Sequence, residues 1–365
     1  MLHPSKPACR LPLSGTWGPV AGVLSAGVLS AGVLSAGVGC LPNQIPEPDA
    51  EQAALVGVKA YVDQELSAFA AAAVALQAAA PAAGVEGWGS EPDLAPLRAR
   101  WKEARISYEH IEGAIAVLFP DLDVATDARY DDFIADAPDQ NLFDGEGVTG
   151  VHAIERIAWA DAIPANVVEF ESGLPGYAPA AFPSTAAEAQ GFGAALCARL
   201  VTDTARMRDD FAPLALDPAT AYRGVIGSLA EQVEKVALAG LGQEESRYAQ
   251  FTLADMRANL EGGAHIFSQF GALLQTHGEE GAAVQDGVDA KLTSILAAYD
   301  AIGSEALPPV PNGFDPTSPS AAHADTAYGR LHALLEAEVS TDDPTSLVGQ
   351  MLAGADLLGI PQLPE

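Results

Sequence analysis

The chain has 365 residues, of which 49% are hydrophobic and 18% are charged, a composition that indicates a folded protein with a core and excludes a disordered one. Its 49 acidic residues outnumber its 18 basic residues and give a net charge of −31. This balance excludes a nucleic-acid-binding protein and disfavours anionic membrane surfaces as partners. The cysteines Cys9, Cys40 and Cys197 form no CxxC pair, so no disulfide framework or thiolate zinc site is predicted.

Residues 1–39 predict a secretory signal. Lys6 and Arg10 precede a charge-free Ala-Gly-Val-Leu-Ser repeat that ends at Cys40, and a basic start followed by an apolar stretch and small residues is typical of an export signal. The cysteine predicts a bacterial lipoprotein signal with Cys40 as the lipidated first residue of the mature chain, although Gly37 stands where such signals usually carry leucine. An uncleaved membrane anchor is the alternative. Residues 40–50 predict a Pro-rich tether.

The remaining chain predicts an all-α fold. Alternating strand patterns are scarce, and apolar residues recur at helical spacing. Helical patterns cover residues 51–80, 94–119, 147–161, 185–210, 218–240, 252–276, 285–301, 321–338 and 344–357. Residues 120–147 predict an acidic, turn-rich connection in which one short helix is an option. The Pro/Gly-rich segment 163–184 is the best candidate for a domain junction. We therefore predict two antiparallel helix bundles, residues 51–165 and 185–365, joined by a linker at 166–184.

A histidine and a glutamate lie on the apolar side of the helix predicted in GVTGVHAIERIAWAD, residues 147–161. On a helical wheel, Val151, Ile154 and Ile157 define the apolar arc, and Glu155 falls within it. His152 lies at the edge of the same arc, one turn earlier, and residues three apart share a helix face. We therefore expect both side chains to point into the protein or into a cleft.

A second pair, Glu109 and Glu112, lies three residues apart in YEHIEGAIAVLF. Glu112 also falls on an apolar face, and an ionised carboxylate is rarely buried without compensation. A basic partner, protonation or a metal ion could provide it, and the nearby Arg105 and Arg156 do not obviously neutralise three glutamates. Three carboxylates and one imidazole are ligands suited to iron, zinc, manganese or calcium, and helix bundles build metal sites from such pairs.

We predict structural roles for three other acidic residues. Glu231 and Glu234 alternate with valines in a pattern typical of a solvated helix edge. Asp255 lies three residues after Thr252, the spacing of a capping box at a helix start.

Three segments resemble the imelysin family of extracytoplasmic bacterial proteins. GVHAIERIAW is similar to its GxHxxE signature, WKEARISYEHIEGA to its upstream ExxE helix, and EESRYAQFTLADMRANLEGGAHIF to its C-terminal segment. The resemblance spans most of residues 50–300. It implies two helical bundles, a bound metal ion, a location in the periplasm or outer cell envelope, and metal ligands at Glu109, Glu112, His152 and Glu155.

The first hypothesis is a non-catalytic, exported metal-binding protein for iron uptake or handling. Iron is the first candidate metal and zinc or calcium the alternatives. The expected partners are an inner- or outer-membrane iron-transport component and, through a lipid on Cys40, the membrane. The second hypothesis is a zinc metallopeptidase, although Ala153 and Arg156 stand where an HExxH motif would carry glutamate and histidine. The third is a polysaccharide-binding or adhesive surface module.

Overall fold

The computed structural model describes residues 49–82 and 84–363, and every regular element within these ranges is helical. The predicted all-α class is therefore confirmed. The predicted signal peptide, the lipidation site Cys40 and most of the predicted tether lie outside the described residues. None of the described helices combines the length and hydropathy that a membrane crossing requires.

The helices follow one another in chain order. They are α1 (Ala50–Ala78), α2 (Glu91–Glu109), α3 (Glu112–Leu118), α4 (Pro120–Asp127), α5 (Tyr130–Asp136), α6 (Gly150–Ala158), α7 (Ala165–Ser172), α8 (Ala186–Gly191), α9 (Cys197–Phe211), α10 (Pro218–Ala230), α11 (Gln232–Ala239), α12 (Thr252–Gln269), α13 (Gly271–Gln275), α14 (Gly278–Ile302), α15 (Ala327–Glu338) and α16 (Leu347–Leu357). A π-helical segment, Phe192–Leu196, joins α8 to α9, and a 3₁₀ turn, Ala321–His323, precedes α15. The longest connections precede α2, α6, α8, α12 and α15.

The longest helix, α1, shows how the sequence positions the core. Asp49 caps its start by accepting a hydrogen bond from the Gln52 backbone N–H at 2.9 Å. Val58, Val62 and Leu66 recur at every fourth position and are fully buried, so they form one apolar stripe. The stripe packs against α2 and α9.

The helix predicted over 94–119 is in fact two helices, α2 and α3. The backbone leaves helical geometry at Ile111, where α12 approaches closely. A Cβ on Gly262 of α12 would lie 2.1 Å from the His110 carbonyl oxygen, so only glycine allows this approach. The break makes Glu112 the first residue of α3. Likewise, the predicted turn-rich connection contains two short helices, α4 and α5.

The predicted linker also contains a helix, α7, whose Val167 and Glu171 are buried. Helices on both sides of this segment pack on one another: α12 contacts α1 and α2, and α10 contacts α3. The described residues belong to one compact unit. The division into bundles at 166–184 therefore stays a prediction.

Candidate metal centre

An open, acidic cavity of about 380 Å³ lies where α3, α4, α6, α11 and the α11–α12 loop meet. Its basic lining residues are Arg129, His152 and Lys235. Its acidic lining residues are Glu112, Asp123, Asp127, Asp132, Glu231, Glu234 and Glu245. The surplus of carboxylates makes the cavity attractive to cations.

Gly150 places His152 at this cavity. It begins α6 with a φ of +84°, and a Cβ there would lie 2.4 Å from the Thr126 carbonyl oxygen at the end of α4. Glycine alone tolerates both the left-handed backbone and the contact. The start of α6 therefore lies against the last turn of α4, which brings His152 beside Asp127 and accounts for the glycine two residues before the histidine.

Glu155 holds the His152 ring in a fixed orientation. Its Oε2 lies 2.7 Å from His152 Nδ1, and its Oε1 accepts hydrogen bonds from the backbone N–H groups of Tyr248 at 2.9 Å and Ala249 at 2.8 Å. A carboxylate on the apolar side of α6 is thus fully satisfied by one imidazole and two backbone donors. The remaining ring nitrogen, Nε2, is free to face the cavity.

His152 Nε2 is buried and makes no hydrogen bond to any residue that the structure describes. It lies 3.5 Å from Asp127 Oδ1, in a side chain that is only 1% exposed. Burial and the nearby Arg105 would lower the pKa of His152, but the carboxylates of Asp127 and Glu155 outweigh them and raise it to about 9. A cation binding at Nε2 would displace this proton, because a ligating imidazole must be neutral.

Glu109 and Glu112 are buried around a lysine. Lys235 Nζ lies 3.3 Å from Glu109 Oε2 and 3.0 Å from both Glu112 oxygens. Arg105 also pairs with Glu109, and the Asn259 side-chain amide donates to Glu112. Burial raises the pKa of Glu112 to about 8, although Lys235 opposes the shift. An added positive charge in the cavity would favour the ionised form of Glu112.

The four predicted ligands fall into two groups, one that lines the cavity and one that lies behind it. Glu112 and His152 line the cavity, whereas Glu109 and Glu155 do not line it and contact Lys235 and His152, respectively. The donor atoms that come within 4.8 Å of one another at the cavity belong to Asp127, His152 and Glu245. The sequence-based prediction therefore did not include two candidate ligands, Asp127 and Glu245.

A second cluster, Glu109, Glu245 and Asp255, has the same tight spacing but surrounds the buried Arg105 guanidinium. Arg105 Nε lies 3.3 Å from Asp255 Oδ1, and its terminal nitrogens pair with Glu109, Glu245 and Asp127. The cluster therefore holds an internal cation. The capping-box prediction for Asp255 is wrong, because its carboxylate turns inward to Arg105, and α12 has no side-chain cap at its start.

Several residues that line the cavity could not be recognised as lining residues from the local sequence pattern. Glu231 and Glu234 are exposed, as the pattern indicated, but they also line the cavity. Glu245 lies in a loop far along the chain from His152, and Lys235 lies on α11. Although burial opposes it, Lys235 and Arg105 hold the pKa of Glu245 below its usual range. The one available signal for Glu245 was its place in the EESRY segment.

Comparison with known proteins gives a family and several relatives. The family model described as imelysin matches residues 54–337. The iron uptake system component EfeO of Escherichia coli K12 is 30% identical over 207 residues, which is 57% of this chain and 45% of that protein. The same component from Shigella flexneri matches equally. The chain spans about half the length of these curated relatives.

Proposed function

The chain belongs to the imelysin family, and from that premise we propose that it binds a metal ion, with iron as the first candidate, and serves iron uptake or handling at the cell envelope. The relatives named as iron uptake components support the choice of iron. In this proposal the metal ion is cargo that is taken up and passed on. Zinc and calcium are the alternative ions.

The unpartnered Nε2 of His152 carries this proposal. A buried ring nitrogen without a hydrogen bond costs stability unless another group satisfies it. Here it lies 3.5 Å from Asp127 Oδ1, and His152, Asp127 and Glu245 bring donor atoms within 4.8 Å of one another. Imidazole nitrogen with carboxylate oxygen is a donor set suited to iron or zinc. The residues present therefore fit a metal ion.

We propose that the site combines the sequence-predicted residues Glu109, Glu112, His152 and Glu155 with Asp127 and Glu245. Glu155 would act through His152, because a carboxylate on Nδ1 fixes the tautomer that leaves Nε2 available for a metal. Glu112 lines the same cavity as His152 and would contribute negative charge there. Glu109 would hold the neighbouring Lys235.

Metal binding without peptide hydrolysis is the proposal that the contacts favour. A zinc peptidase built on this motif would need the motif glutamate, Glu155, free to act as a base on metal-bound water. Glu155 already contacts His152 and two backbone N–H groups. A chelator-sensitive cleavage of a peptide library, abolished by His152→Ala, would favour the peptidase instead.

The test is a titration of the mature chain with Mn²⁺, Zn²⁺ and anaerobic Fe²⁺ by calorimetry. Loss of a supporting residue around a metal ligand costs 10- to 100-fold in affinity, so loss of the ligand in His152→Ala should cost about a hundredfold or more. His110→Ala is the matched control, since His110 Nδ1 also pairs with a glutamate, Glu65 at 3.0 Å, but does not line the cavity. Equal affinity of His152→Ala and wild type would refute the proposed site.

For the location, we propose an extracytoplasmic protein held at the membrane by a lipid on Cys40, with a membrane iron-transport component as partner. The support is the sequence pattern of residues 1–40. Labelling cells with a radioactive fatty acid should mark the wild-type chain but not Cys40→Ala. Labelling of both chains, or of neither, would contradict the lipid anchor.

A further inference from the structure

Lys235 occupies a position that a metal ion could take. Its ammonium lies 2.8 Å from Glu245 Oε2, 3.0 Å from Glu112 Oε2 and 3.3 Å from Glu109 Oε2. Three carboxylates from α2, α3 and the α11–α12 loop thus converge on one point. Carboxylate oxygens converging in this way are the typical ligands of a hard cation. We call this arrangement of Glu109, Glu112 and Glu245 the carboxylate cage.

The cage adjoins the His152 donor group, because Glu245 belongs to both. The Glu245 carboxylate contacts Lys235 and also lies within 4.8 Å of the Asp127 and His152 donor atoms. An ammonium that shares a carboxylate with a metal ion lowers the affinity for that ion through two electrostatic effects. It withdraws negative charge from the shared ligand, and it repels the ion across a poorly solvated distance.

Lys235 is an important part of the charge balance in the buried cluster around the proposed metal site. The buried cluster unites the carboxylates of Glu109, Glu112, Asp127, Glu155, Glu245 and Asp255 with the cationic groups Arg105, His152 and Lys235. Arg105 is enclosed by four of these carboxylates and always charged. His152 loses its proton when it binds a metal. Within this buried cluster, Lys235 is then the cation that has a flexible side chain.

We propose that Lys235 is a tethered competitor for the metal ion: its ammonium fills the carboxylate cage and thereby limits how tightly the adjoining His152 site holds its cargo. This inference rests on the proposed function. A protein that passes on a metal ion must also release it, and an internal cation that competes for the shared Glu245 carboxylate lowers the cost of release. Lys235 is thus assigned the role of setting affinity.

The experiment measures Mn²⁺ binding by calorimetry, after removal of bound metal with a chelator, for wild type and Lys235→Met. Methionine keeps most of the length of the side chain without its charge. We expect Lys235→Met to bind Mn²⁺ tighter by about tenfold or more, or to take up an additional equivalent in the cage. Lys291→Met is the control, because Lys291 Nζ pairs with Glu338 at 2.7 Å between α14 and α15, and it should match wild type.

Thermal unfolding gives an independent measurement. Without metal, Lys235→Met should unfold at a lower temperature than wild type, because the cage carboxylates lose their cation. Mn²⁺ should restore more stability to Lys235→Met than to wild type. Unchanged or weaker Mn²⁺ binding by folded Lys235→Met would overturn the inference.

If Lys235→Met does not fold, the charge-balanced pair Glu109→Gln/Lys235→Met takes its place and is compared with Glu109→Gln alone. Tighter binding by the double variant supports the inference, and equal or weaker binding overturns it. A failure of this inference can be distinguished from a failure of the proposed function. Wild type that binds no metal refutes the proposed function, whereas wild type that binds and Lys235→Met that binds no better refutes the role of Lys235 only.

Discussion

Replacement of Glu155 should separate the stability of the buried network from its ability to bind a metal. The wild-type carboxylate accepts two backbone hydrogen bonds, from Tyr248 and Ala249, and contacts His152 Nδ1 at 2.7 Å. Glu155→Ala removes all three contacts, whereas Glu155→Gln keeps an oxygen for the backbone donors. The two variants therefore differ in what they leave unsatisfied.

The contacts that each variant loses set the expected magnitudes. In Glu155→Ala, two backbone N–H groups lose their acceptor, at about 1–3 kcal/mol each, and His152 loses its partner. We expect a loss of about 3–5 kcal/mol, which is a large part of the stability of a typical domain. In Glu155→Gln, two charge-assisted hydrogen bonds become neutral, and the expected loss is about 1–2 kcal/mol.

In Glu155→Gln, metal binding should suffer although most of the stability is kept. In Glu155→Gln, the oxygen of the introduced amide would be held by Tyr248 and Ala249, and its N–H would be presented to His152 Nδ1. The neutral imidazole would then carry its proton on Nε2, the atom that should bind the metal. We therefore expect Glu155→Gln to stay folded and to lose about 10- to 100-fold in metal affinity.

Urea unfolding and Mn²⁺ titration of the same samples provide the assay. Glu65→Gln is the control, because Glu65 pairs with His110 outside the cavity. Wild-type affinity in Glu155→Gln would refute the argument about the imidazole tautomer. A stability loss in Glu155→Ala no larger than in Glu155→Gln would refute the assignment of the two backbone hydrogen bonds.

Three further predictions concern the surrounding structure. Gly150→Ala should cost about 1–3 kcal/mol or more in thermal unfolding, because φ is +84° and the Cβ meets a carbonyl oxygen, whereas Gly89→Ala, with nothing within 4 Å, should cost little. In a chain whose other two cysteines are replaced by serine, Cys197 should react with a thiol reagent only after unfolding, because burial raises the pKa of its thiol; rapid native labelling would contradict this. Tyr248→Phe should lower the free energy of unfolding by about 1–3 kcal/mol, since the buried Glu171 loses the Tyr248 hydroxyl donor, and an unchanged urea midpoint would argue against that hydrogen bond.

The helices and the burial of the unusual polar residues could be predicted from the sequence. Helical periodicity is a local property, and it placed Glu112, His152 and Glu155 on inward faces. All three are buried. The contact between His152 and Glu155 also follows from local geometry, because residues three apart on a helix are neighbours.

The other partners of these residues could not be predicted, because they come from other elements of the fold. The sequence offered Arg105 and Arg156 as the nearby cations. Arg156 turns instead to Glu171 on α7 at 2.9 Å, while Lys235, on α11, neutralises Glu109 and Glu112. Such pairings depend on which helix faces meet.

The sequence by itself determined the all-α class, the inward direction of the polar groups and the resemblance to a family, since each follows from spacing along one helix or from a motif. Only the tertiary structure decided that Asp127 and Glu245 lie beside His152, while Glu109 and Glu112 hold Lys235. The physical reason is helix packing. The break between α2 and α3 and the close approach of α4 to α6 depend on glycines that fit against a partner backbone, and that partner lies elsewhere in the chain.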